Sequence, residues 1–149
     1  MQLHKVKTMN ENFKELIGLL DLRDIKLIDS HETVLSYPDQ KNNEVSINGE
    51  QLFPKDDPKN SDNLLIFRPK YVFSFSIENN VFYKCEYIFL VSFSYKDLSK
   101  VQNLLENKET KDLFFDKQIN RTLWSIVRGV VMDGFNKHSL KPIILPWIK

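Results

Sequence analysis

Tyr71-Val72-Phe73-Ser74-Phe75-Ser76-Ile77-Glu78-Asn79-Asn80-Val81-Phe82-Tyr83-Lys84-Cys85-Glu86-Tyr87-Ile88-Phe89-Leu90-Val91-Ser92-Phe93 decides the fold class. Tyr71, Phe73, Phe75 and Ile77 alternate with Val72, Ser74 and Ser76, the two-residue period of a strand with one buried face. Glu78-Asn79-Asn80 supplies the turn. Val81, Tyr83, Cys85, Tyr87, Phe89, Val91 and Phe93 then alternate with Phe82, Lys84, Glu86, Ile88, Leu90 and Ser92. The whole reads as a long antiparallel hairpin. Its lesser face is mixed, since Ile88 and Leu90 join Lys84 and Glu86, so part of that face has apolar groups to cover.

Working outward, Asn10 to Leu20 reads as a short helix with Asn10 or Asn12 as cap and Phe13, Leu16, Ile17 and Leu20 on its apolar side. Leu22 to Thr33 reads as a strand whose alternation slips at Ile28. Ser36 to Asn43 is polar and contains Pro38. Glu44 to Asn48 is a second short strand with Val45 and Ile47 on one face. Gly49 to Asn63, rich in Pro, Asp, Asn and Ser, reads as an irregular connection, with two hydrophobics, Leu52 and Phe53, near its start. Asp97 to Glu106 forms a short helix, and Lys108 to Lys117 a charged lead into a long one.

That long helix begins at Ile119. Ile119, Leu123, Ile126, Val127 and Val130 mark one apolar stripe, and Trp124, Val131 and Phe135 a second on its flank. A helix apolar on two sides is either deeply packed in its own domain or covered by another subunit or an apolar ligand. A proline-bracketed apolar tail, from Pro142 to Leu145-Pro146, follows it. The order of helix, four strands and helices predicts one segregated α+β domain over residues 1–149.

Composition narrows the function. The 149 residues are 42% hydrophobic, enough for one sizeable core. With 21 basic and 20 acidic side chains, no net field draws the chain to nucleic acid or an anionic membrane. The single cysteine, Cys85, excludes an internal disulfide. No signal peptide or membrane span is legible, so a cytoplasmic protein is expected. His4, His31 and His138 share no zinc spacing with one another or with Cys85. Gly18, Gly49, Gly129 and Gly134 form no phosphate loop. An enzyme is not expected, and no metal or cofactor is called for.

Three segments resemble the SecB-type export chaperones, above all the branch associated with toxin–antitoxin systems. They are Leu22-Arg23-Asp24-Ile25-Lys26-Leu27, then Val81 to Tyr87 followed by Phe93, and Leu123-Trp124-Ser125-Ile126-Val127-Arg128 running on to Pro142 and Leu145-Pro146. The leading helix, Asn10 to Leu20, favours the toxin–antitoxin branch. The resemblance implies a four-stranded antiparallel sheet backed by the long helix, assembled as a dimer of dimers. It implies ATP-independent holding of unfolded or aggregation-prone polypeptides in apolar grooves, an antitoxin among the candidate clients. On that basis Val45, Ile47, Leu52, Phe53, Trp124 and Val131 are expected to bind client, with Leu52 and Phe53 in a crossover loop. Asp24 and Glu86 match acidic positions that contact the Sec translocation ATPase in the export branch. The near-neutral charge and the apolar Ile28 depart from that branch, which makes client holding the expectation over motor docking. Two rival readings are a module dedicated to one partner, such as an antitoxin, and a small-molecule-binding or enzymatic domain.

Overall fold

Two tight turns set the register of the sheet. Glu78 and Asn79 take positive φ (53° and 65°), as do Asp62 and Asn63 (52° and 64°). Two consecutive residues there make the two-residue hairpin loop whose twist matches paired strands, and Asn and Asp tolerate that backbone better than most. The computed structural model describes residues 8–41 and 44–143. In chain order its elements are α1 (Met9–Leu19), β1 (Leu20–Val34), β2 (Ser46–Leu52), β3 (Lys59–Ser61), β4 (Leu64–Phe67), β5 (Lys70–Ile77), β6 (Asn80–Tyr95), α2 (Leu98–Glu106), α3 (Lys108–Leu113), a π-helical turn (Phe114–Ile119) and α4 (Asn120–Lys137).

β6 is the spine. One edge pairs with β1 from Leu20↔Tyr95 to Val34↔Tyr83. The other pairs with β5 from Ile77↔Asn80 to Lys70↔Ile88, and then with β4 from Phe67↔Val91 to Leu64↔Ser94. Arg68-Pro69 breaks this second run, because proline offers no N–H to the ladder. The Phe89 N–H still donates to the Pro69 carbonyl (3.0 Å). β2 lies beyond β5, and β3 beyond β4. All pairs are antiparallel, and the six segments fill four positions across the sheet. The fold is the expected α+β arrangement: a sheet four strands wide, a long helix near the C-terminal end and an extra N-terminal helix.

Local readings are corrected in three places, and one irregularity is borne out. Gly49 to Leu52 continue β2, and Lys59–Ser61 forms β3, so the expected loop shrinks to residues 53–58. α1 is capped by Thr8, whose side chain accepts from the Glu11 N–H (3.2 Å), rather than by Asn10 or Asn12. The slip at Ile28 is a bulge, with a second at Arg23. A third bulge at Phe82 turns both Phe82 and Tyr83 to the core, where alternation had put Phe82 on the lesser face.

One face of the sheet carries Tyr71, Phe73, Phe75, Tyr83, Cys85, Tyr87, Phe89, Val91 and Phe93, all buried under α4 and its lead-in. From Ile119, the last residue of the π-helical turn, the buried line continues on α4 through Leu123, Val127, Val131 and Phe135, a strict four-residue ladder. It cuts across the two stripes predicted from sequence: Val131 and Phe135 join the core, while Ile126 stays 38% exposed. Each such side chain contributes about 1.5–3 kcal/mol by leaving water. The π-helical turn lets adjacent phenylalanines serve two contacts. Phe114 meets Phe67 and Phe93 (centroids 5.5 and 5.6 Å), and Phe115 stacks on Phe53 (3.9 Å).

Candidate polypeptide-binding groove

Among the described residues β2 is an edge strand, paired on one flank only. Its register puts Ile47, Gly49 and Gln51 opposite the buried Phe75, Phe73 and Tyr71, and therefore on the α4 side. Asn48, Glu50 and Leu52 face the other way. Gly49 matters for a steric reason: a Cβ there would stand 2.9 Å from Phe73 Cε1. Without it the Phe73 ring lies across the strand and floors an open groove. That groove, about 190 Å³, is lined by Gly49, Glu50, Gln51, Tyr71, Phe73, Asn120 and Trp124. Asn120 and Trp124 share one side of α4 at four-residue spacing. The Trp124 ring sits 6.2 Å from Phe73. Ile47, 37% exposed, continues the apolar surface along β2, and Val45 packs half-buried at its start.

Leu52 and Phe53 fall elsewhere. Both border a second depression, about 370 Å³, with Ile28, Pro54, Arg68, Lys70 and Ile88; Leu52 meets it from the face turned away from the helices, while Phe53 sits at its rim. Its shape depends on how residues 53–58 are tied down. The Asp57 carboxylate, fully buried as a side chain, accepts from the Arg68 backbone N–H (2.5 Å) and from Arg68 Nε and Nη2 (3.2 Å each). Arg68 also pairs with Asp56 (3.2 Å). Asp56 is held below the usual carboxylate range mainly by its hydrogen bond to Lys59. Phe53 is thereby pressed onto Phe115 while it borders the depression.

The expected client residues thus divide three ways. Ile47 and Trp124 belong to the groove and its margin, with Val45 at the strand's start; Leu52 belongs to the opposite face, and Phe53 borders that depression while its ring packs on Phe115 in the helical layer. Val131 is fully buried in the core, where an i+4 ladder rather than a flanking stripe places it, so it offers no surface. Asp24 and Glu86 lie on the sheet face turned from the helices, roughly 20 Å apart by register along β6. Each is already in an ion pair, Asp24 with Lys26 (3.3 Å) and Glu86 with Lys70 (3.4 Å). Sequence reading missed Gly49, Gln51, Tyr71, Phe73 and Asn120 as groove residues. The available signal was the pair Asn120 and Trp124, one helical turn apart.

A polar cluster closes the far end of α4. Glu32 on β1 accepts from the Tyr87 and Tyr83 hydroxyls (2.8 and 3.2 Å) and pairs with Lys137 (2.5 Å), with His138 at 3.7 Å. Burial alone would raise the Glu32 pKa, but Lys137 and the tyrosine hydroxyls bring it below its ordinary value. Burial pushes both tyrosines well above theirs, and the buried Cys85 thiol up to about 12. A thiol so held is a poor nucleophile, and Cys85 is a core residue. Among the described residues no group of His, Cys, Asp and Glu could hold a metal ion, and no helix is long and apolar enough to cross a membrane.

No family model and no curated protein matches the sequence. Among solved structures, the chain is similar to the Rv1957 SecB-like chaperone of Mycobacterium tuberculosis, determined in complex with a ChAD peptide from the Rv1956 HigA1 antitoxin. The TM-score is 0.72 at 16% identity, over 94% of this chain and 98% of that one.

Proposed function

We propose that this chain, which has the fold of a SecB-like chaperone, holds unfolded or aggregation-prone polypeptides without ATP. The observation that carries the reading is the open groove between β2 and α4, floored by Phe73 and walled by Trp124. An unfolded segment that lays an apolar side chain there removes it from water at about 25 cal/mol per Å². One side chain gains only about 1.5–3 kcal/mol, part of which ordering the client cancels. Useful affinity therefore needs several contacts. Val45 and Ile47 extend the groove along β2, and the exposed Leu52, with the edge of Phe53, adds apolar surface across the strand.

Assembly supplies further contacts by effective concentration. The outer flank of β1 pairs with no strand among the described residues, and Leu22, Leu27, Ile28 and Leu35 along and just beyond it are 44–53% exposed. A long bare edge of this kind is covered in most folded proteins. Pairing of β1 with a second copy, followed by docking of two such dimers, fits both this edge and the exposed Ile126 on α4. Docking on the Sec translocation ATPase through Asp24 and Glu86 has less support, since both carboxylates are spent on neighbouring lysines. A cytoplasmic setting and the absence of catalysis follow from the same reading.

A narrower reading is a module dedicated to one antitoxin. The structural neighbour's bound antitoxin peptide favours it. The experiment is suppression of aggregation of a chemically denatured client, repeated with Trp124→Ala and Phe53→Asp. A holdase loses most of its protection in Trp124→Ala, and wild-type levels in both variants remove the groove assignment. Protection of an antitoxin alone, with no effect on unrelated denatured proteins, selects the narrower reading.

A further inference from the structure

The groove contains hydrogen-bonding capacity that the fold leaves unused. The buried Tyr71 hydroxyl accepts from Gln51 Nε2 (3.0 Å) and donates to Asn120 Oδ1 (2.9 Å). A hydroxyl has one proton, so it must accept from one amide and donate to the other. Whichever way that polarity runs, one amide is left with a free carbonyl and the other with free N–H groups. As placed, Gln51 Oε1 is the spare acceptor and Asn120 Nδ2 the spare donor. Neither atom bonds to another described residue. Burial holds the Tyr71 hydroxyl protonated far above neutral pH, so the relay keeps its proton. Both amides are half-buried in the wall of the cavity that also holds Phe73 and Trp124.

A donor beside an acceptor matches the N–H and C=O of one residue in an extended chain, which point to the same side of the strand. Side chains on that chain stand perpendicular to these groups, which turns one of them toward the Phe73 and Trp124 rings. We propose that Gln51 and Asn120, aligned by Tyr71, grip the backbone of an extended polypeptide while an adjacent apolar side chain seats against Trp124 and Phe73. This rests on the polypeptide-binding reading and specifies how the client is held. The grip reads main chain, so it imposes no sequence, and the rings ask only for an apolar side chain beside it. Gln51 and Asn120 are positioning residues for the client, and Tyr71 positions them in turn.

The test uses a fluorescein-labelled peptide with a Leu-Phe-Val-Leu core flanked by Gly-Ser repeats, and a series in which each core amide is replaced by an ester. Replacement removes one N–H at a time. Wild-type protein should bind one ester about five-fold more weakly than the parent peptide, the scale of one net hydrogen bond. In Gln51→Met, which keeps the side-chain length without the carbonyl, that penalty should vanish, whereas Trp124→Ala should weaken parent and ester peptides alike. Equal ester penalties in wild type and Gln51→Met, with Trp124→Ala still weakening binding, overturn the backbone grip alone. Binding indifferent to Trp124→Ala overturns the groove reading with it.

Discussion

Gly134 shows how much a single missing methyl group can matter. A Cβ there would overlap Glu32 Oε2 and lie 2.5 Å from the Tyr83 hydroxyl, so α4 could not close on β1. Gly134→Ala should cost about 1–3 kcal/mol, the usual range for overpacking a tight site, read as a lower urea midpoint. Glu32 itself makes stability depend on pH. Its folded pKa is depressed, so its contribution is complete above the unfolded value near 4.5 and is lost as pH falls through the folded value. Acid denaturation should therefore steepen below about pH 4.5, and Glu32→Gln should flatten that limb while lowering stability at neutral pH. An unchanged acid limb in the variant would show that Lys137 and the tyrosines do not favour the charged carboxylate. At this scale the sequence was only partly legible. Cys85 read correctly as core from its strand parity. Glu32, Tyr83, Tyr87 and Gly134 are far apart in sequence, and no local pattern announces their meeting.

Among elements, the hairpin of β5 and β6 was plain because alternation, broken only by the bulge at Phe82, and an Asn-containing turn agree. The irregularity at Ile28 was visible as a lost beat in β1. The stretch from Gly49 to Asn63 was misread because its two strand segments carry little apolar signal: Gly49, Glu50 and Gln51 extend β2, and the polar Lys59, Asn60 and Ser61 make β3. Tertiary pairing with β5 and β4, not local propensity, holds them extended. The excursion between them depends on the Asp57–Arg68 contact. Asp57→Ala should leave the Arg68 N–H and guanidinium short of partners and cost about 1–3 kcal/mol. Amide exchange should rise locally at residues 53–58 with the rest of the sheet protected. Faster exchange throughout would mean that the contact supports the whole sheet rather than the excursion.

For the whole molecule, the surplus of apolar surface argued from the long helix is present but displaced. The helix's own second stripe is mostly buried, and the exposed apolar groups instead follow the two sheet edges, β1 and β2. Leu27→Lys on β1 should disrupt a dimer built on that edge, shifting the sedimentation mass toward one copy with little change in secondary structure. A monomeric wild-type protein would refute the proposed assembly. The groove's outline was half legible, through Ile47 and Trp124. Its floor was hidden because Tyr71 and Phe73 looked like ordinary core residues, which they also are.

The most direct measurement of the central claim is the affinity of wild type and Trp124→Ala for a permanently unfolded protein, such as a reduced and carboxymethylated one, by fluorescence anisotropy. Loss of an indole from the groove wall should weaken binding about ten-fold or more while the circular dichroism spectrum stays unchanged. Equal affinity of the two folded proteins for that unfolded chain would contradict the account.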